Sequence, residues 1–540
     1  MTTSDRDRTQ FTGSGRTRLS RRRMLQAATA AATLPAAGRL PDARQARAQA
    51  TPAAGTNPGL VTVALPTDVS TLDPYQMFSK LEGSVADHVI QTLTFRAPDM
   101  SVQPLLATAW KRLPDNLTWE FTLRPGVTFS NGEPFDAEAA KFSIDHLNQR
   151  NADGQPLGGA SVAVPSAEIT EATAVSPTLL RLTTKSPKAL LHLYLAQWPM
   201  VPPKFYGSGS DATLAEEMVG SGPYVVAERV RDDHITLRPS PTYWGAPPTA
   251  GEIVFRIVPE VATEIAELQT GGVDIVPGLP IDQAQILLDQ PGVRVETIAG
   301  GRRVFVGIKT DGSEPLHDVQ VRQALNCAID WESINQGLFL GRTTRMSYVF
   351  NPPNSNTDIE PYPYDPERAK ALMAEAGYPD GIKLNGFATP VGRWINDVQL
   401  AQVVKSQLEA VGVSFEQDLQ TYEWGVYREK LLAYDLPDLF LQASGGEFEA
   451  AGEAADFTFT SPSDFYRWNN PDYEKLWQEL QGELDMDRRH QIALEMQQVI
   501  HDDAPIIFLY MQLDTYGVAD RLNWTPRMDE LIHLWDVTVS

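Results

Sequence analysis

The chain has one cysteine, Cys327, in 540 residues. It can form no internal disulfide, and no cluster of thiolates can hold a metal. Long apolar runs are missing too, since no stretch of about 18 residues is hydrophobic enough to cross a bilayer as a helix. Basic sequence is scarce beyond the first fifty residues. These hold ten arginines and three aspartates, which leaves 35 basic against 66 acidic residues and a net charge of −31 for the remainder. Such a surface repels nucleic acid and anionic headgroups, so no nucleic-acid partner is expected. Signatures of hydrolytic enzymes are absent: there is no G-x-S-x-G, S-x-x-K or H-E-x-x-H. The eight histidines (88, 146, 192, 234, 317, 490, 501 and 533) form no pair at the spacing of a helical metal site. Gly220-Ser-Gly-Pro-Tyr224 is glycine-rich but lacks the lysine of a phosphate-binding loop. No catalytic residue, metal or cofactor is therefore expected. Carboxylates are abundant, so an acid pair of the glycosidase kind stays open, and with it a hydrolase as the rival to a binding protein.

At this length the chain exceeds one ordinary core, and its 42% hydrophobic content is that of a globular protein, so at least two domains are expected. Residues 1–50 read as a targeting segment. Ser20-Arg-Arg-Arg-Met-Leu-Gln26 precedes a weakly apolar, Ala-rich run from Ala27 to Ala37 and small residues from Ala46 to Ala50. That layout is one of a secretion signal. It resembles the twin-arginine type, S-R-R-x-[FM]-L-[KQ], which implies export of a folded protein. A general secretory signal with an arginine-heavy start is the other reading. No cysteine near residue 50 offers a lipidation site, so a soluble protein on the outer side of the cytoplasmic membrane is expected.

The sharpest local pattern runs from Asp115 to Leu147. Leu117, Trp119, Phe121 and Leu123 alternate with polar residues and predict a strand with one buried face. Pro125-Gly126 turns the chain, Val127 to Phe129 can return as its partner strand, and Asn131-Gly132 makes the next turn. Asp136 then caps a helix that buries Ala139, Ala140, Phe142, Ile144 and Leu147. Elsewhere, strands are expected over Gly59 to Leu65, Val175 to Thr183 and Gly300 to Ile308. A strand at Ile253 to Val258, a helix at Glu260 to Gln269 and a strand at Gly272 to Ile275 predict a parallel unit. Helices follow at Val319 to Ile329, Pro366 to Gly377, Asp397 to Val411, from Asn470, and at Asp487 to Ile500, before a last strand at Ala504 to Tyr510.

Several of these motifs, in order, resemble the family 5 solute-binding proteins of ABC importers, the oligopeptide, dipeptide and nickel binders. They are Ser70-x-Leu-Asp-Pro74, the Ala107-x-x-Trp110 to Ser143 segment, Gly220-Ser-Gly-Pro-Tyr224, Tyr243-Trp-Gly245, DPERAKALMAEAGY from Asp365 and SQLEAVGV from Ser406. The resemblance spans about residues 58–540. It implies an α/β, two-lobed periplasmic-binding-protein fold of type II, with mixed sheets flanked by helices. Lobe 1 would take residues 51–300, with an inserted subdomain at about 92–205. Lobe 2 would take 301–505, and 506–540 would return to lobe 1, the two crossings making a hinge. The implied function is capture of a small solute, peptide foremost and oligosaccharide as the alternative, by a monomer that delivers it to a separate permease and ATPase.

The same resemblance implies the ligand-binding residues. Met77, Phe78 and Ser79 follow the S-x-L-D-P element and face the cleft, or else form a surface loop. Arg302 and Arg303, with Phe305, enter a strand at the hinge; the arginines hold a ligand carboxylate or form a solvated pair. Trp424 and Tyr427 match a W-x-x-[YL] element, and Tyr510 lies on the return strand; each is ligand contact or core. In Tyr434 to Glu449, peptide binders carry a tryptophan and an ammonium-binding aspartate. Here those positions hold Ala443 and Gly446, which leaves Glu447 as the candidate anchor, with Gln442 and Ser444 beside it.

Overall fold

The computed structural model describes residues 59–77, 79–147, 168–311, 314–350, 354–445 and 468–540, with the backbone alone at Ser444 and Gly445. The expected export signal, Phe78 and Glu447 lie outside the described residues. Leu60–Leu65 (β1) buries every residue after its first, as a continuous apolar run inside a parallel sheet does. Lys80–Ala86 (α1) begins at Ser79, whose Oγ accepts from the Glu82 amide at 3.1 Å while the Ser79 amide donates to Glu82 Oε2 at 3.0 Å. This reciprocal pair satisfies two donors that a helix start otherwise leaves open.

Ala107–Arg112 (β2), Thr118–Leu123 (β3), Ala137–Leu147 (α2), Ile169–Ser176 (β4) and Leu179–Thr184 (β5) build a four-stranded antiparallel sheet in the order β2-β3-β5-β4, with α2 on β4 and β5. Phe121 and Leu123 are buried and Thr122 exposed, as the alternation requires. Asp136 Oδ1 accepts from the amides of Glu138 and Ala139, each at 3.0 Å, and so caps α2 as expected. The expected pairing of Val127 to Phe129 with the preceding strand does not form. Both edges of β3 are occupied by β2 and β5, so the tight turn at Asn131-Gly132 closes on itself through a Thr128 to Pro134 bridge. The single strand expected over Val175 to Thr183 is likewise the end of β4, a turn at Pro177-Thr178 and β5.

Tyr224–Val230 (β6), His234–Pro239 (β7), Glu252–Ile257 (β8), Val261–Thr270 (α3) and Ile275–Pro277 (β9) follow. Strand β1 pairs in parallel with β8 and β9, as the strand, helix, strand rhythm predicts. The long Val293–Ile308 strand (β10) leads to Val319–Cys327 (α4), Trp331–Phe339 (α5), Pro366–Glu375 (α6), Phe387–Pro390 (β11), Asp397–Ala410 (α7), Gln420–Tyr422 (β12), Trp424–Leu432 (α8), Leu439–Gly445 (β13), Pro471–Gly482 (α9) and Met486–Asp503 (α10). Ile506–Ala519 (β14) closes the order. The prolines at the first turns of α6 and α9 sit where no amide donor is lost, and Asp365 and Asn470 cap them. Gly377 and Gly412 stop α6 and α7 in left-handed backbone, at φ 95° and 101°.

One ten-stranded mixed sheet runs through the molecule in the order β12-β11-β13-β10-β14-β9-β1-β8-β7-β6. Its centre is the antiparallel pair β10 and β14, which passes from one hydrophobic core to another. The first core gathers Val61, Phe121, Phe255, Tyr516 and Trp524. Two more gather Val306, Leu400 and Leu441, and Phe440, Tyr473 and Ile500. Between the cores the pairing slips. Ala299 faces Leu513 and Arg303 faces Met511, so Gly300, Gly301 and Arg302 oppose Gln512 alone. The sequence pattern starts the strand at Gly300, whereas β10 begins seven residues earlier and carries this irregularity inside it.

Candidate functional site

The irregular stretch of β10 turns Arg302 to Glu530, which Nη2 meets at 3.1 Å and 3.3 Å. Glu530 itself sits at φ 64°, in a turn whose amide donates to Arg527. Arg393 comes from the other side, in the loop between β11 and α7. The buried Asp397 carboxylate fixes that loop by accepting from the amides of Arg393 at 2.7 Å and Trp394 at 3.1 Å. The Arg393 guanidinium lies 4.7 Å from the centre of the Trp424 ring. Trp394 meets the same indole edge-on at 6.0 Å and Tyr427 stacks at 6.0 Å. Partial burial first, and then the Arg302 charge, pulls the Arg393 guanidinium below its ordinary value, while Glu530 acts the other way. No carboxylate among the described residues comes within ion-pair distance of Arg393.

Asp514, on β14, lies within electrostatic range of Glu530 and Arg302. Burial is the main reason that its carboxyl is pushed up to about 6; the Glu530 charge adds to this, and Gln512, Arg302 and Lys80 oppose it. Gln512 Nε2 donates to Oδ1 at 2.8 Å, while Oδ2 packs over Gly300, where any β-carbon would meet it at 2.1 Å. Gly300 thus leaves room for that carboxylate, which would have to shift if a side chain stood there.

Among the expected ligand residues, the structure brings Arg302 and Trp424 together through Arg393 and places Tyr510 within electrostatic range of Arg302 and Asp514. Tyr510 is buried, stacked 5.4 Å from Trp331 and 4.6 Å from Phe339. Its hydroxyl, the Trp331 indole nitrogen and Gln442 Oε1 are buried with no hydrogen-bond partner among the described residues. Phe305 and Tyr427 lie in the third core, and the Tyr427 hydroxyl donates to the Leu441 carbonyl. Arg303 is wholly buried between Met511 and Ser444, its neighbours in register. Met77 packs partly buried on the first core, and Ser79 spends its hydroxyl capping α1. The sequence pattern does not single out Arg393, Glu530 and Asp514. The only cue for Arg393 is a charged residue in a loop at a strand end, where binding groups concentrate.

One sheet that passes through separate hydrophobic cores by a pair of antiparallel strands, with charges and aromatic rings gathered at the junction, has the architecture of the two-lobed periplasmic binding proteins. Residues 101–472 match the bacterial extracellular solute-binding proteins, family 5. The chain belongs to this family of ABC transporter components. It is similar to heme-binding protein A of Haemophilus influenzae, 26% identical over 447 residues that cover 76% of this chain and 79% of that one. The dipeptide-binding protein of Escherichia coli is 26% identical over 493 residues, covering 84% and 86%. The fold is shared with the structure of HbpA2 from Haemophilus parasuis, with a TM-score of 0.80 at 20% identity over 89% of this chain and all of that one. No helix among the described residues is long and apolar enough to cross a membrane.

Proposed function

We propose that the protein captures a short peptide, or a peptide-like solute bearing a carboxylate, by closing its two lobes about β10 and β14, and hands it to a membrane permease. One observation carries the ligand class: Arg393 is a guanidinium held on an indole face, in a loop fixed by Asp397, with no carboxylate partner among the described residues. Such a group binds a ligand carboxylate with a charge-assisted, bidentate hydrogen bond. The buried Tyr510 hydroxyl and Gln442 Oε1 need partners that a peptide's amides and carbonyls supply. The separate cores support a lobe boundary near Gly300, and the name of the dipeptide-binding relative agrees with a peptide. The Arg-rich start of the chain supports export through a twin-arginine route. Affinity then comes from contacts made only when the lobes close.

Native mass spectrometry of the exported protein, before and after unfolding and refolding, reads the ligand directly. A discrete peptide mass that disappears on refolding is the expected result. Calorimetry then compares di- and tripeptides with their C-terminal amides. Amides that bind as tightly as free acids overturn the carboxylate assignment, and turnover of a chromogenic substrate overturns the binder reading.

A further inference from the structure

A cavity of about 110 Å³ opens among residues of the first core's elements, and none of Arg302, Arg393 and Trp424 lines it. Three aromatic rings line it: Phe95, Tyr243 and Trp535. The ring centres of Phe95 and Trp535 lie 5.9 Å apart at 62°, a corner that two faces of a small ligand can meet. The one charged residue in the lining is Asp87, just past the end of α1. Its Oδ2 accepts from His533 Nε2 at 2.9 Å, and 36% of its side chain stays exposed. The remaining polar groups are occupied. Gln91 Oε1 accepts from Ser221 Oγ at 3.0 Å and Trp244 Nε1 at 2.8 Å. Two cations lie nearby and both are held elsewhere: the Arg124 guanidinium stacks 4.1 Å from the Trp244 ring with its Nε donating to the Leu105 carbonyl, and Arg527, 5.7 Å from the centre of the Phe95 ring, is paired with Asp529, while His533 packs 4.2 Å from Trp535.

Aromatic faces carry negative quadrupole charge, and with a carboxylate beside them they favour a soft, weakly hydrated cation over a neutral group of the same shape. A cavity of roughly 150 Å³ takes benzene, so this one admits a group of about five heavy atoms. We infer that the Phe95, Tyr243 and Trp535 box, closed by Asp87, is a binding site for a methylated or quaternary ammonium group, separate from the solute cleft.

The test uses the whole exported protein, with choline, tetramethylammonium and the neutral choline isostere 3,3-dimethylbutan-1-ol as probes, read by calorimetry and by the indole NMR signals. Choline is expected to bind about tenfold more tightly than the isostere, a difference of the size that cation–π contacts give. Asp87→Asn, which keeps an acceptor for His533, is expected to cost choline about tenfold and leave the isostere unchanged. Trp424→Ala, in the main cleft, is expected to leave choline binding intact. Equal affinity for choline and the isostere, no binding of choline up to tens of millimolar, or loss of choline binding in Trp424→Ala rather than in Asp87→Asn each overturns the proposal. Sedimentation with phosphatidylcholine against phosphatidylglycerol vesicles assigns the source of the ammonium: selective pelleting with the former makes it a lipid headgroup, and its absence makes it a free solute.

Discussion

His88 and Leu534, 446 residues apart, are joined by a hydrogen bond in which the Leu534 amide donates to His88 Nε2 at 3.1 Å. The other ring nitrogen, Nδ1, donates to the Ser84 carbonyl at 2.6 Å. An amide can only donate and a carbonyl only accept, so the ring is fixed in its neutral, Nδ1-protonated form. The contact pins the C-terminal segment to α1, and complete burial pushes His88 down to about 4.

That depression has a sign. Between pH 6.5 and 4 the unfolded chain takes up a proton at this position that the folded one refuses, so stability is full above 6.5 and falls as the pH drops toward 4. The shift corresponds to about 3 kcal/mol. His192, pushed to about 4 by burial, acts in the same direction. His88→Gln is expected to be less stable than the parent at pH 7.5, with the gap narrowing by about that amount at pH 4. Urea titrations at the two pH values check it, and a gap that stays constant refutes it.

Asp514 acts in the opposite direction. Its folded value of about 6 lies above the unfolded 3.8, so the folded state holds a proton that the unfolded state has lost, and stability declines as the pH rises from 3.8 to 6. Asp514→Asn is expected to raise the stability by about 3 kcal/mol at pH 7.5 and by almost nothing at pH 4. Thermal melts across this range read the difference.

The two glycines of Gly220-Ser-Gly222 face the backbone at the end of α1. A β-carbon on Gly220 would lie 2.0 Å from the Val89 carbonyl oxygen, and one on Gly222 would lie 2.5 Å from that of His88. Backbone cannot yield as a flexible side chain can. Each Gly→Ala change is therefore expected to cost about 2–3 kcal/mol, the size of a core overpacking. Chemical denaturation of the single variants measures this, and values under about 0.5 kcal/mol would contradict it.

In the cleft, Arg393→Ala is expected to weaken a free-acid peptide by roughly 10- to 100-fold, the worth of a charge-assisted pair, and to leave the corresponding amide nearly unchanged. Stability should hold within about 0.5 kcal/mol, since more than a third of Arg393 is open to solvent. Trp424→Ala should weaken both ligands, because it removes the surface that supports the guanidinium.

Local chemistry is legible in the sequence wherever a few neighbouring residues set the outcome. Asp136, Asp365 and Asn470 cap their helices, Gly377 and Gly412 end theirs, and β1 shows its burial as a plain apolar run. The ordered motifs carried the family in the same way, because turns and caps depend on residue type at short range. Contacts distant in sequence decided the rest. Val127 to Phe129 had the composition of a partner strand, yet β2 and β5, from either side in the chain, held both edges of β3. Tyr427 and Phe305 had the character of ligand aromatics, and packing buried them in a core. Arg393, Glu530 and Asp514 carry no local pattern at all, since they become one group only where β10 and β14 bring the two lobes together. The sequence by itself determined the capped helices, the family and the absence of enzyme signatures. Tertiary structure alone decided which charges meet, because electrostatic partners are chosen by distance in space and not along the chain.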